Sequence, residues 1–382
     1  MMMQKKIGAL ALAAGLVAPL ACMADSANVT VYGVANLSYD FTDNGDTATA
    51  KGIKTSKVSS NASRIGFKGS EDLDDGLSAV WQIESRVDID NAGGGFATRN
   101  SFAGLSDKTW GTLVMGRHDT PYKLATGSLD LFRDSMGDNR ALMGGVKGKS
   151  SFYKFDDRSP DIVLYTSPSW GEIKLLAARV AGAETADTST QSKGQIWSLA
   201  GFYDNGPLFA SLAYQKNDFG SAGTGTMAGT ADTSETAWKL GVGYKFEMID
   251  LGLAYETTQD DINTVAPTAC TTGSTDKNCY GHNALYVSGK YKLASSAIKL
   301  AYGKAGNLGN KADSGADQMI LGYDYNLRKR TILYGIYTKL NNDKNASYGI
   351  AAGDAGINTG FVTAKGAGAD PSAWSFGIKH SF

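Results

Sequence analysis

AWSFGIKHSF, residues 373–382, decides the fold. Trp374, Phe376, Ile378, His380 and Phe382 share one parity; Ser375, Gly377, Lys379 and Ser381 share the other. Alternation of this kind is the signature of a strand with one apolar and one polar face. A chain that stops in register on a bare phenylalanine implies that its last residues pair with another strand.

The same period recurs upstream. In AWKLGVGYKF (237–246) Trp238, Leu240, Val242, Tyr244 and Phe246 alternate with Lys239, Gly241, Gly243 and Lys245. ALYVSGKYKL (284–293) and TILYGIYTKL (331–340) behave alike. Sixteen such segments are expected, at 28–40, 63–70, 77–88, 99–106, 111–117, 160–168, 172–181, 195–204, 207–217, 234–247, 249–259, 282–293, 296–305, 315–327, 329–341 and 372–382. EIKLLAARV (172–180) is ambiguous in parity. Tight turns such as EDLDDG and YDNG alternate with longer linkers near 41–62, 89–98, 118–159, 182–194, 218–233, 260–281, 306–314 and 342–371. Short and long connections in alternation describe an up-and-down barrel with one smooth and one decorated rim.

Composition agrees. The 382 residues include 47 glycines, 18 tyrosines and only 7 prolines, a balance suited to strands and tight turns rather than helices. Lys plus Arg (37) nearly equals Asp plus Glu (38), so nothing points to nucleic acid. Residues 1–24 stand apart: a lysine-bearing start, an apolar run and small residues ending at Ala24 read as a cleaved secretory signal. Residues 25–382 then form the barrel, with no apolar run long enough for a transmembrane helix. Cys270 and Cys279 lie close together, and in an exported chain that pair is expected to form a disulfide.

Face chemistry separates soluble from membrane barrels. Sixteen strands enclose more space than side chains can fill. An apolar lining would leave a large greasy void, so the consistent solution is inverted. Apolar residues face lipid, Lys, Ser, Gly and Glu face water, and closure satisfies every backbone group. Trp81, Trp110, Trp170, Trp238 and Trp374 suit interfacial girdles. A large soluble β-sandwich is the competing reading. Small outward residues such as Gly33 and Ala35 offer a surface for a neighbouring subunit.

Four segments in order carry a family likeness: VTVYGVANLSYD (29–40), SRIGFKGSEDLDDGLSAVWQIES (63–85), RNSFAGLSDKTWGTLVMGRHDTPYK (99–123) and the closing ten residues. The chain resembles the trimeric general porins of Gram-negative outer membranes, of the beta-proteobacterial type. The resemblance implies an all-β fold: a 16-stranded antiparallel transmembrane barrel with short periplasmic turns, long extracellular loops and a third loop folded inward. It implies a homotrimer in outer-membrane lipid and lipopolysaccharide, passing small hydrophilic solutes and ions by passive diffusion, with no cofactor. It also implies that Trp374, Phe376, Ile378 and Phe382 form the signal read by the outer-membrane assembly machinery. His380 stands where many members carry tyrosine or another apolar residue.

The site of such a protein is a constriction. The resemblance places the 118–159 linker inside the barrel, with Asp119, Asp130, Asp134 and Asp138 as an acidic edge and Arg133 beside them. Parity sends Arg64, Lys68 and Arg86 inward, because their neighbours Ile65, Phe67 and Ile83 take the lipid face. Arg99 and Arg117 join them by resemblance, although their parity is ambiguous. A mid-membrane charge facing lipid costs about 2–4 kcal/mol, so inward is the default. Facing rows of opposite charge bias ion passage. Residues 118–157 carry six acids and six bases, so weak selectivity is expected and its sign is open.

Other classes find less support. A hydrolase needs a histidine near a nucleophile or acid; the only histidines are His118, His282 and His380, and no G-x-S-x-G elbow occurs. A sugar channel would want an aromatic slide; Phe132, Phe152, Tyr153 and Phe155 are scattered. A phosphate channel would want a lysine cluster, and an adhesive barrel larger loops. GDNRALMGGVKGKS (137–150) lacks phosphate-loop spacing.

Overall fold

The structure is a computed structural model that describes residues 29–382 apart from 92, 146–150, 152–153, 182–192, 221–232, 263–277, 310 and 351–360. The 1–24 leader lies outside the described residues, and so do Phe152, Tyr153 and Cys270.

Sixteen antiparallel staves close a single barrel. They are β1 (Thr30–Asp43), β2 (halves Lys54–Ser60 and Arg64–Asp72), β3 (Leu77–Asp88), β4 (Ser101–Asp107), β5 (Gly111–Asp119), β6 (Arg158–Thr166), β7 (Ile173–Val180) and β8 (Lys193–Asn205). The circuit continues with β9 (Leu208–Gly220), β10 (Ser234–Lys245), β11 (Ile249–Asp260), β12 (Asn283–Lys292), β13 (Ser296–Ala305), β14 (Ala316–Arg328), β15 (Thr331–Asn342) and β16 (Ser372–Ser381). A short ladder at Gly93–Gly95 extends β3 beyond its pairing with β4. Closure is between the two ends of the chain: β1 pairs β16 from Val34↔Ser381 to Asp43↔Ser372.

Exposure shows the inversion directly. On β10, Trp238 is 50% exposed while Lys239 beside it is 1% exposed. The apolar parity faces outward, and the polar parity is covered by inner-wall and loop contacts. Trp374, Phe376, Ile378 and Phe382 all lie on the outward face. In β7, Leu175 and Arg179 point out while Leu176, Ala178 and Val180 are buried, which resolves that segment's parity.

Two departures from the sequence reading have local causes. Residues 54–60, expected within a linker, form the first half of β2 and pair with β1 from Leu37↔Ser60 to Asp43↔Lys54. The stave breaks at Asn61–Ser63, where Ala62 takes a left-handed φ of 54°. Asn36 spans the break: its N–H donates to Ser63 Oγ at 2.9 Å and its carbonyl accepts from Asn61 N–H at 2.8 Å. In β5 the register shifts between Gly116 and His118, with Gly116 at φ +139°, and the strand runs on to Asp119. Trp81, expected near a strand end, is the fifth residue of β3.

Candidate functional site

The segment between β5 and β6 folds into the barrel. Thr120 caps α1 (Pro121–Thr126), accepting from Lys123 N–H at 3.4 Å, and Pro121 sets the first turn. From α1 the loop travels along the inner wall. Tyr122 OH donates to Glu256 of β11 at 2.7 Å, and Leu129 carbonyl accepts from Ser288 Oγ of β12 at 2.8 Å. Tyr286 OH donates to Asp130 at 2.9 Å, and Lys299 of β13 donates to Leu131 carbonyl at 3.2 Å. Phe132 packs against Gly322 of β14, where an added Cβ would lie 2.5 Å from the ring. The loop then reaches the first staves: Asn36 Nδ2 donates to Asp134 carbonyl at 3.1 Å, and Asp134 faces Arg64 Nη1 at 3.4 Å.

The return limb is fastened from β10 and β11. Lys239 Nζ lies 2.5 Å from Asp156 and 3.5 Å from Glu256, and sits 4.1 Å from the centre of the Tyr122 ring. Glu256 also accepts the Gly144 N–H at 2.9 Å. Gly144 has φ +76°, and an added Cβ there would meet the Asp156 side chain at 2.5 Å. Phe155 packs on Tyr122 with ring centres 5.8 Å apart.

A charged cluster forms where the loop meets β2–β4. Glu84 accepts from Arg99 Nε at 2.5 Å and lies 3.8 Å from Arg64 Nε. Arg140 pairs with Asp138 at 2.5 Å and stands 3.7 Å from Asp134. Burial pushes the Asp134 carboxyl up, but Arg140, Arg64 and Arg133 outweigh it and hold the group below its ordinary range. Asp130 moves the other way. Burial and the Asp138 carboxylate raise it, and the N–H groups of Asn139 and Phe132 offset this only in part. Arg133 lines a small cavity inside the loop with Lys123, Asp130 and Asp156.

The expected site residues therefore divide. Arg64, Arg99, Asp134 and Asp138 gather at one place, with Asp130 and Arg133 immediately behind. Asp119 pairs instead with Lys123 at 3.2 Å and Arg158 at 3.1 Å at the loop's root. Arg86 forks onto Asp88 in its own strand at 2.7 Å, and Lys68 lies 5.4 Å over the Tyr32 ring. Arg117 sits at the β5 bulge and donates to the Thr98 carbonyl at 3.1 Å. Glu84, Lys239, Glu256 and Arg158 are site residues that the sequence reading does not single out. The signal is present for the first three: each is a charge on the inward parity of a strand whose outward parity is apolar. The scattered aromatics Phe132 and Phe155 are wall packing, both about 1% exposed. Cys279 is disulfide-bonded. No described helix is long and apolar enough to cross a membrane, and no cluster of three metal-ligating side chains occurs among the described residues.

A barrel apolar outside, polar inside and narrowed by an infolded charged loop is a transmembrane diffusion channel. The comparisons agree. A family model for Gram-negative porins matches residues 9–345. Outer membrane porin protein 32 of Delftia acidovorans is 30% identical, with 100% of both chains covered. An outer membrane porin protein of Bordetella pertussis is 28% identical over 89% of this chain and 97% of that protein. The solved anion-selective porin from Comamonas acidovorans superposes with a TM-score of 0.73 at 26% identity, covering 93% of this chain and all of that one. The chain belongs to the Gram-negative porins, of beta-proteobacterial type, and forms an outer-membrane channel for passive diffusion of small hydrophilic solutes. Porins are channels rather than enzymes.

Proposed function

We propose that the cluster around Asp134 is the constriction of this channel and gives it a weak preference for anions. The observation that supports this is the balance of side chains facing the loop tip. Arg64, Arg99, Arg140 and Arg133 surround Asp134, and Lys379 of β16 feels both Asp134 and Arg64. Lys299 adds a further base, 2.9 Å from Asp324. Against these stand Glu84, Asp134, Asp138 and Asp324, with Asp130 pushed toward its neutral form. Ion pairing cancels most of the field and leaves a small positive excess, so small polar anions pass more easily than cations of like size. The relative from Comamonas acidovorans, described as anion-selective, points the same way.

In this reading Arg64, Arg99, Asp134 and Asp138 form the narrow edge, with Arg133 and Asp130 supporting it. Arg86, Lys68 and Arg117 line the approach on the same side, and Asp119 anchors the loop's root. Three copies assemble through the outward face of β1 around Ala35, Gly33 being covered by the chain's own Phe382, with lipid and lipopolysaccharide around the rest. Residues 1–24 direct export, Phe382 and the outward aromatics before it serve the assembly machinery, and Cys270 is the partner of Cys279. No catalysis is assigned. Reversal potential across a tenfold KCl gradient in a planar bilayer is the test. A small anion-directed potential with openings in groups of three supports the reading, and a cation-directed potential overturns it.

A further inference from the structure

The break in β2 does more than bend a strand. β1 pairs the first half of β2 as Ser38↔Ser59 and the second half as Val34↔Arg64. Between those pairs β1 advances four residues and β2 advances five. The extra residue is a bulge around the left-handed Ala62. On an uninterrupted strand, residues five apart face opposite sides of the sheet. Here Ser59 and Arg64 both face the lumen, Ser59 fully buried and Arg64 against the loop. Without the bulge, the pairing of the first half would turn Arg64 toward lipid.

The bulge also holds the guanidinium that it turns inward. The Ala62 carbonyl accepts from Arg64 Nη1 at 3.0 Å, and the same nitrogen faces Asp134 at 3.4 Å. Asn36 of β1 spans the bulge with its backbone, and its carbonyl also accepts from Ser63 Oγ at 3.1 Å. Its side chain is engaged at both ends. Nδ2 donates to the Asp134 carbonyl at 3.1 Å, and Oδ1 accepts from Tyr334 OH at 2.9 Å. Tyr334 belongs to β15 and reaches β1 across β16, passing over Gly377, where an added Cβ would lie 2.3 Å from the ring. Asp134 has φ +60°, a left-handed conformation that a residue other than glycine keeps when its surroundings hold it. Two bonds hold it here: Asn36 Nδ2 on its carbonyl, and the Asp138 carboxylate on its N–H at 3.0 Å.

We infer that Asn36 is a positioning residue for ion selection: it braces Arg64 through the bulge and Asp134 through its carbonyl, and so sets the separation of that charged pair. The inference rests on the reading of the Asp134 cluster as the constriction. It goes further by giving control of the field to an uncharged residue that lies outside the loop. A pair held close cancels much of its own field, and a pair let apart exposes the guanidinium to passing anions.

The test is the chloride-to-potassium permeability ratio, taken from reversal potentials across a KCl gradient in planar bilayers. Asn36→Leu keeps the net charge, the approximate volume and the backbone bonds, and removes both side-chain bonds. The ratio is expected to rise roughly twofold or more, the scale of coupling between neighbours in one hydrogen-bond network. In an Asp134→Asn background, where the carboxylate is already neutral, Asn36→Leu is expected to add nothing. Tyr334→Phe removes only the hydroxyl that steadies Asn36, and is expected to move the ratio the same way by less; it decides the question if Asn36→Leu does not fold. A merely structural role would lower the melting temperatures of these variants and leave the ratio at its wild-type value, and that result overturns the inference. Equal shifts from Asn36→Leu with and without Asp134→Asn overturn it too. Arg64→Gln and Asp134→Asn are read in the same bilayers. If they move the ratio and the Asn36 and Tyr334 variants do not, the constriction stands and this inference alone falls. If neither moves it, the constriction reading falls and takes this inference with it.

Discussion

The ring of Phe382 lies on Gly33: a Cβ added to that glycine would come 2.3 Å from the ring and 2.7 Å from the Arg64 carbonyl. The two residues also exchange both backbone hydrogen bonds, Gly33 N–H to Phe382 carbonyl at 3.0 Å and Phe382 N–H to Gly33 carbonyl at 3.1 Å. The last residue is thus the final rung of the seam between β1 and β16. Gly33→Val removes the seat for the ring and drives a branched side chain into backbone. It is expected to cost about 2 kcal/mol or more. The fraction migrating as the folded form in SDS without heating, and its melting temperature, read the effect. A variant as heat-stable as wild type would show that the seam does not depend on this contact.

Glu84 holds two arginines, Arg99 at 2.5 Å and Arg64 at 3.8 Å. Glu84→Gln keeps the shape and removes the negative charge, leaving Arg99 without its paired carboxylate and Arg64 with Asp134 alone. The channel should become more anion-selective, with the reversal potential moving further in the anion direction, and stability should fall by about 3 kcal/mol. The charge-conserving Glu84→Asp should restore part of the selectivity. An unchanged reversal potential would place the cluster away from the conduction path.

Sixteen staves were legible because each must put apolar residues on lipid, and a two-residue period survives any loop sequence. The first half of β2 is not legible because KTSKVSS offers a single apolar outward residue, Val58. Its break at Ala62 gives no glycine or proline to announce it. Parity sends Arg64 and Arg86 inward, and the same rule applied to Gln82–Glu84–Arg86 finds Glu84. Arg117 was illegible because the Gly116 bulge shifts the parity of β5 just before it. The loop's route was beyond pattern reading: Tyr122 and Glu256 are 134 residues apart in sequence. Only folding shows that one buried lysine, Lys239, ties both limbs down.

Asp130 gives the inner loop a pH dependence. Its carboxyl is pushed from 3.8 up to about 7 by burial and by the nearby Asp138 carboxylate, countered by the Asn139 and Phe132 N–H groups and by Arg140. The Tyr286 hydroxyl also faces it, at 2.9 Å. The folded state therefore keeps a proton that the unfolded chain has already released between these values. Its contribution to stability is greatest below pH 3.8 and is lost as pH rises toward 7. Asp130→Asn should flatten this part of the profile and raise the urea midpoint at about pH 8 relative to wild type. Midpoints taken at half-unit steps from about pH 4 to about pH 8 decide it; parallel profiles for the two proteins would rule the assignment out.

Lys239 is the post to which the loop is tied. Its ammonium sits between Asp156 and Glu256 and over the Tyr122 ring, 1% exposed. Lys239→Met fills nearly the same space but leaves two buried carboxylates without their cation. Relief comes from moving one of them, and Asp156 is the movable one because it belongs to the loop while Glu256 belongs to the wall. The loop should swing off β10, so that conductance rises and single-channel records become noisy, with a stability loss of about 3 kcal/mol. The double substitution Lys239→Met with Glu256→Gln removes one of the stranded charges and should recover part of the stability, but not the quiet channel, because Tyr122 and Gly144 then lose their carboxylate acceptor. Lys239→Met protein that conducts like wild type, with the same noise, would show that the loop holds its position without this tie.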